Sequence, residues 1–367
     1  MANKAVLSID IGTTSLKLSV IDERGFQISY MRRDLSLQLS GNENWNLANQ
    51  WEHNLKKMLA ELPLARTVEA VCVTGNGPTL VPIGEGQTPL FPVISWVDTP
   101  SKDLEDLPSL YLSKLIYAAE KNPKLLEQTK LFVGCPEYVT GLLCGEFVTF
   151  IPDERFIPFI WDYKQLELCG IRPSQVPAFV QAGEFVGRVT VKAADSYGLP
   201  YGVPVFAGMT DFHAALLGCG AVHSGMVCDR AGTSEGINYI STSDKNYPLL
   251  RTLPSIIPST WTVAGLMPAS GEIFEWYRKS SGQVFIPYEE VMGGLLSIQP
   301  SAECFFYPDR DGRHVSSDKL TGGEFSDHKS CLDDYRLRGR AVADGIGFTE
   351  RSQLDQLREA GFRVEWL

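Results

Sequence analysis

No C-x-x-C pair occurs in this chain, although its 367 residues include eight cysteines, Cys72, Cys135, Cys144, Cys169, Cys219, Cys228, Cys304 and Cys331. Scattered singly, they propose neither a zinc cage nor a small disulfide scaffold, and free thiols, buried or half-buried, are the expectation. Nor does any stretch approach the roughly 20 uninterrupted apolar residues that a membrane-spanning helix needs. Met1-Ala2-Asn3-Lys4 runs straight into a strand pattern without the apolar core of a signal peptide, so a cytoplasmic location is expected. Positive charge is scarce: 33 Lys and Arg against 44 Asp and Glu give a formal charge of −11. Such a surface repels nucleic-acid phosphates and anionic membranes, which leaves a small-molecule partner as the better fit. Low-complexity segments and short-period repeats are missing as well.

What is present is the balance of an ordinary globular protein, 44% hydrophobic and 21% charged, in a chain long enough for two domains. Ala5 to Ile9 is an apolar run entering Asp10; a Gly-containing polar loop follows, then the alternating Leu16, Leu18 and Val20, and a turn at Asp22–Gly25. This reads as a hairpin. Trp51, Leu55, Met58, Leu59 and Leu62 recur at helical spacing, and Val68 to Val73 is a β-branched run of the kind that fills a buried strand. From about Leu104 to Phe147 the pattern is mostly helical, broken at Pro123 and Pro136. A second α/β start at Val203–Gly208 places the domain boundary near Pro204, giving domains 1–203 and 204–367. Both domains begin with an apolar strand entering a Gly-and-Asp turn, followed by G-T-[TS], a weak internal repeat that suggests two related halves facing a cleft.

Three clusters carry chemistry. In Asp10-Ile11-Gly12-Thr13-Thr14-Ser15-Leu16-Lys17, Gly12 lets backbone approach a polyphosphate, Thr13, Thr14 and Ser15 offer N–H groups and hydroxyls, and Lys17 adds a cation. Asp10, at the strand end, is a carboxylate able to hold Mg²⁺ through water. The plainer alternative is a hairpin with a polar turn and a solvated lysine. Asp211, after Gly208-Met209-Thr210, stands between a strand end and the first turn of a small-residue helix, where an acidic cap is also commonplace. What lifts it above a cap is Ala231-Gly232-Thr233-Ser234, a second phosphate-type turn some twenty residues on. Phosphoryl transfer needs a positioned hydroxyl, a carboxylate to take its proton, and donors around the travelling group.

These motifs resemble those of the FGGY carbohydrate kinases. The phosphate motif D-x-G-T-[TS]-S-x-[RK] is met at every fixed position by Asp10, Gly12, Thr13, Thr14, Ser15 and Lys17. The segment G-L-P-x-G-x-P-V-x-A-G-x-x-D is met by Gly198 through Asp211. Trp276 and Arg340-Ala341-Val342-Ala343-Asp344-Gly345 resemble later family positions. The resemblance implies an α/β, two-domain actin/hexokinase/Hsp70-type (ribonuclease H-like) ATPase fold and a cytoplasmic kinase that phosphorylates a sugar or polyol with ATP and Mg²⁺. It implies Asp211 as catalytic base, Asp10 at the metal, and Gly12, Thr13, Thr14, Ser15, Lys17, Gly232 and Thr233 at the nucleotide phosphates. Asn76, Gly77, Pro78, Trp96 and Asp98, with Asp211, would line the substrate.

Three departures qualify the match. Gly75-Asn76-Gly77-Pro78-Thr79 replaces the G-Q-x-H-G of the xylulose kinases, so a sugar-binding histidine is missing. Trp96-Val97-Asp98-Thr99-Pro100-Ser101 lacks the arginine of W-x-D-x-R. The helix expected over Tyr335–Ala360 leads into Phe362–Leu367, which reads as a strand start, where the family goes on for roughly another hundred residues to an adenosine-holding turn, as complete layered domains require. The expectation is therefore a C-terminally truncated chain with an incomplete second domain, completed by another chain or a homo-oligomer, or else a remnant that binds carbohydrate without efficient catalysis. His213 is expected to be exposed or capped, and Asp309–Arg313 to be a solvated turn.

Overall fold

The structure is a computed structural model. It describes residues 4–35, 47–62, 65, 67–96, 98, 109–168, 170–232, 234–267, 270–300, 303–308, 324–326 and 334–364. By contacts the chain divides into two compact units, Met1–Ala215 and Leu216–Leu367. The strand at Pro204–Phe206 belongs to the first unit's sheet.

The first unit is built on β1 (Ala5–Ile11), β2 (Ser15–Asp22), β3 (Gln27–Asp34) and β4 (Ala70–Gly75), with α1 (Leu47–Glu61) between β3 and β4. Leu7, Ile9 and Ile11 of β1 alternate into the core, as a half-buried strand requires, and Leu16, Leu18 and Val20 of β2 do the same. Against them lies the stripe Trp51, Leu55, Met58 and Leu59 of α1, each at most 2% exposed. Burying such a side chain stabilises the fold by about 1.5–3 kcal/mol, so this face holds helix to sheet.

The helical expectation for residues 104–147 holds only in part. The chain runs through β5 (Leu80–Ile83), α2 (Leu112–Lys121), α3 (Pro123–Gln128), β6 (Leu131–Gly134) and α4 (Cys135–Cys144). Leu131–Gly134 is a strand, paired antiparallel with Leu80–Ile83. A short apolar run carries no period long enough to tell strand from helix, and the partner strand decided it. Then come β7 (Thr149–Ile151), α5 (Ile157–Ile160), α6 (Tyr163–Leu168), β8 (Phe179–Gln181), β9 (Phe185–Arg188), α7 (Val191–Tyr197), β10 (Pro204–Phe206) and α8 (Asp211–Gly218).

The main sheet has the order β3-β2-β1-β4-β10-β9. Antiparallel hairpins join β1 to β2 and β2 to β3, whereas β4 lies parallel to β1 and β10 parallel to β4. Parallel neighbours end on the same side. The residues that follow β1, β4 and β10 therefore emerge together at one edge, the ordinary place for a ligand in an open α/β sheet.

The second unit holds an antiparallel sheet, β11 (Val227–Ala231), β12 (Glu235–Ser241), β13 (Arg251–Pro254) and β14 (Trp261–Met267), in the order β11-β12-β14-β13. Its described helices are α9 (Gly271–Ser280), α10 (Tyr288–Leu296) and α11 (Tyr335–Glu359). Ala341 and Val342 of α11 pack with Ile273, Phe274 and Tyr277 of α9 and with Val291 and Leu295 of α10. Further along, Leu357 of α11 packs on Ile237 and Val263. Residues 362–364 form no strand; Phe362 instead packs on Tyr239, with ring centroids 4.5 Å apart. Among the cysteines, Cys304 is disulfide-bonded, a departure from free thiols throughout, and Cys169 and Cys331 lie outside the described residues.

Candidate active site

Asp10 and Lys17 are directly opposed in the β1–β2 register, and Lys17 Nζ donates to Asp10 Oδ2 at 2.7 Å. Asp10 Oδ1 is buried without a hydrogen-bond partner among the described residues. An unmatched buried oxygen on a carboxylate costs free energy unless something cationic or hydrogen-donating meets it. Between the two residues the chain turns tightly, Gly12 N–H donating to Ser15 O at 2.9 Å. A Cβ on Gly12 would stand 3.0 Å from that oxygen, which is why glycine suits the position. Thr14 is exposed, Gly12 and Thr13 half-buried, and Ser15 only 3% exposed, beneath the turn.

The loop after β4 leans on β1. Asn76 N–H and Asn76 Nδ2 both donate to Ile11 O, at 2.8 and 3.1 Å. Gly77 follows with so little space that a Cβ would meet the Thr210 side chain and the Tyr111 hydroxyl, each at 2.9 Å. After β10, a Cβ on Gly208 would lie 1.8 Å from the Val73 carbonyl oxygen, so that strand exit crosses β4 only as glycine. Thr210 bridges to Gly75, and Asp211 opens α8, accepting from Phe212 N–H at 2.7 Å. Gly75 through Pro78 and Asp211 therefore share the sheet edge with the Asp10–Ser15 turn.

The third piece is the segment carrying Trp96 and Asp98. Trp96 Nε1 donates to Thr13 Oγ1 at 3.1 Å, tying this segment to the phosphate-type turn. Asp98 Oδ2 accepts from Ser95 N–H at 2.7 Å. Lys114, 4% exposed, holds both residues by their backbones: its Nζ donates to Trp96 O at 2.5 Å and to Asp98 O. Burial lowers the Lys114 ammonium to about 8, against the opposing pull of Asp98.

Beneath this edge lies a group of buried titratable side chains. The Cys135 thiol is held well above its ordinary value by burial first, then by the charges of Glu137, Asp211 and Asp10. Both acids therefore bear on one sulfur. The Tyr111 hydroxyl is raised well above its ordinary value by burial and then by Glu137, Cys135 and Asp211. Glu137, in the first turn of α4 and 3% exposed, is pushed up to about 7 by burial, opposed by N–H donors of Phe150 and of its own backbone.

Sequence reasoning missed this layer. Lys114 left a readable trace, a lysine set among Leu112, Leu115 and Ala118 on the buried face of α2. Glu137 left none, because an acidic residue in a first helical turn is an ordinary complement to the helix dipole. His213 is neither exposed nor a simple cap: it is 2% exposed, its Nδ1 is 2.8 Å from Thr210 Oγ1, and its ring stands edge-on to Phe156.

In the second unit, Gly232 O accepts from Gly271 N–H at 3.1 Å, and Ser234 Oγ accepts from Arg230 at 3.2 Å. Thr233 and the Asp309–Arg313 turn lie outside the described residues. Trp276 stacks on Phe306, and Arg340 pairs with Asp344 at 2.9 Å one turn along α11.

The model of the FGGY family of carbohydrate kinases, N-terminal domain, matches residues 5–109 and 107–218. The chain belongs to that family. A xylulose kinase of Lactococcus lactis is 24% identical, over 95% of this chain and 76% of its own length. Among solved structures, a xylulose kinase from Rhodospirillum rubrum is similar with a TM-score of 0.74 at 23% identity, covering 98% of this chain and 80% of that one. A Plasmodium falciparum glycerol kinase with ADP gives 0.73 at 14% identity, covering 99% and 80%. The fold is thus that of the FGGY kinases, the two-domain actin/hexokinase-type ATPase fold that the motifs implied, and the family makes this chain a carbohydrate kinase. No described helix is long and apolar enough to cross a membrane.

Proposed function

We propose that this kinase transfers the terminal phosphoryl group of ATP to a hydroxyl of a ketose, aldonic acid or polyol in the cytoplasm, with Asp211 accepting the hydroxyl proton. The observation that carries the reading is the parallel pairing of β1, β4 and β10, with Ile11 opposite Gly75 and Gly75 bridged to Thr210, which puts Asp10 and Asp211 at the same end of the sheet. Asp211 is the acidic residue in the first turn of α8, and a carboxylate there is the type of group that accepts a proton from an attacking hydroxyl. Gly12, Thr13, Thr14 and Ser15 with Lys17 offer donors and a cation to the nucleotide phosphates. For Gly232 and Thr233 that assignment rests on the family motif.

Mg²⁺ fits the residues present: Asp10 Oδ1 is a buried carboxylate oxygen without a partner, and such an ion is ordinarily bound by one or two carboxylates together with substrate phosphates. When bound, it supplies neutralisation of charge developing on the phosphoryl oxygens. Substrate lies against Gly77, Pro78, Trp96 and Asp98, with Asn76 holding the loop to β1. The nearby xylulose kinases make a ketose the first substrate to try, although Asn76-Gly77-Pro78 offers no histidine to a sugar hydroxyl.

The test is an ATP- and Mg²⁺-dependent phosphorylation assay over a panel of ketoses, aldonic acids and polyols, with Asp211→Asn as control. Turnover of one panel member, reduced about 10²–10⁴-fold in Asp211→Asn with binding retained, is the expected result. Sugar binding without turnover, or turnover indifferent to Asp211, overturns the assignment.

A further inference from the structure

Outside this site, Cys219 and Cys228 stand nine positions apart with their sulfurs 3.1 Å from one another, both as free thiols. They are unlike in exposure. Cys219, just past the end of α8, is exposed, whereas Cys228, inside β11, is 9% exposed. Two sulfurs in contact, one open to solvent and one sheltered behind it, form the arrangement in which a first thiol is oxidised and a second resolves it. A third His, Cys, Asp or Glu to complete a metal site is absent among the described residues.

We infer that Cys219 and Cys228 form a redox-active pair, with Cys219 the thiol attacked by a peroxide and Cys228 the resolving thiol, giving a reversible disulfide that ties the end of α8 to β11. The Cys219 sulfur, as thiolate, attacks one oxygen of hydrogen peroxide; the O–O bond breaks, the second oxygen leaves and is protonated to water, and Cys219 becomes a sulfenic acid. The Cys228 sulfur then displaces the sulfenic hydroxyl, which leaves as a second water with the remaining thiol proton. Two thiols and one peroxide thus give one disulfide and two waters: both sulfurs are oxidised and both oxygens reduced. The order of attack follows from exposure. It is reinforced at Cys228, whose thiol is pushed up to about 12 by burial first and by Cys219 next, and so stays protonated until the sulfenic acid is in reach.

The position gives the bond something to do. β11 runs from Cys228 directly into the Ala231–Ser234 turn, and the connection back to α8 is held by Gly225 N–H donating to Ile240 O at 2.8 Å. A cross-link fixes the strand at the end remote from that turn. A thiol reductant releases it.

The full chain is reduced, freed of reductant, treated with stoichiometric hydrogen peroxide, alkylated and digested with trypsin without reduction. No Lys or Arg stands between the two cysteines, so one peptide ending at Arg230 carries both. The expected product is that peptide lighter by two hydrogens and carrying no alkyl group, returning to the doubly alkylated form after dithiothreitol. In Cys228→Ser the sulfenic acid on Cys219 persists and is labelled by a 1,3-diketone reagent. Both cysteines alkylated after peroxide, over-oxidation of Cys219 without a cross-link in the unmutated protein, or a diketone label appearing on Cys228 in Cys219→Ser but none on Cys219 in Cys228→Ser, overturns the inference.

Discussion

Lys17 and Asp10 face one another across the β1–β2 hairpin at 2.7 Å, and the pair leaves the second oxygen of Asp10 buried and unmatched. The lysine thus holds the carboxylate in place while both remain partly exposed, at 35% and 30%. Lys17→Met removes a cation from the phosphate turn, and the KM for ATP is expected to rise about tenfold. Because the pair is partly solvated, the cost in stability stays below about 1 kcal/mol. Steady-state kinetics and urea unfolding on the same preparation check both halves.

Lys114 acts on the substrate segment from below. Its ammonium donates to the carbonyls of Trp96 and Asp98, so Lys114→Met frees that segment directly and reaches the Asp10–Lys17 turn through the Trp96–Thr13 hydrogen bond. Loss of a buried, charge-assisted donor to two carbonyls is expected to raise the KM for the sugar about tenfold and the KM for ATP by much less, since the turn feels the change through one hydrogen bond to Thr13. A parallel rise in both constants would mean that the lysine serves general stability only.

Glu137 makes stability depend on pH. Its carboxyl titrates at about 7 in the folded protein against 4.5 for the ordinary group, so between those values the folded chain keeps a proton that the unfolded chain has lost. Stability therefore falls as pH rises from about 4.5 to about 7 and levels off above, the native state being the one that binds more protons there. The full effect is on the order of 3 kcal/mol. Glu137→Gln mimics the neutral form, and its unfolding free energy is expected to lose this slope and to exceed that of the unmutated protein at pH 8. Urea denaturation of both proteins at pH 5 and pH 8 tests it. Glu235, in the second unit, is also raised to about 7 by burial and by Glu350, and it leaves a residual slope in the variant.

Gly208 is fixed by close packing against β4. A methyl group there would overlap the Val73 carbonyl, and backbone cannot rotate away as a side chain can. Gly208→Ala is expected to destabilise the first unit by about 3 kcal/mol or more, read from soluble yield and the urea midpoint. Gly218→Ala, with nothing within 4 Å of the added carbon, is the matched control and should unfold as the unmutated protein does.

Several of these sites could be read from letters alone. Alternation in Ala5–Ile9 and Leu16–Val20, broken by Gly12 and closed by Asp22–Gly25, dictated a hairpin because strand period and turn chemistry act within a few residues. The same locality made the α1 stripe of Trp51, Leu55 and Met58 legible, and Asp211 at the head of a small-residue helix.

What the sequence determined by itself, then, is the family, the hairpins and the identities at the sheet edge, since each is written in contiguous residues. Tertiary structure alone decided that Leu131–Gly134 is a strand, that β10 completes the first unit's sheet, that Lys114 and Glu137 are buried beneath the edge, and that Cys219 meets Cys228. Burial, protonation and contact depend on which distant segment arrives alongside. No local period encodes that arrival: it is set by how strands far apart in the chain pair and what their helices cover.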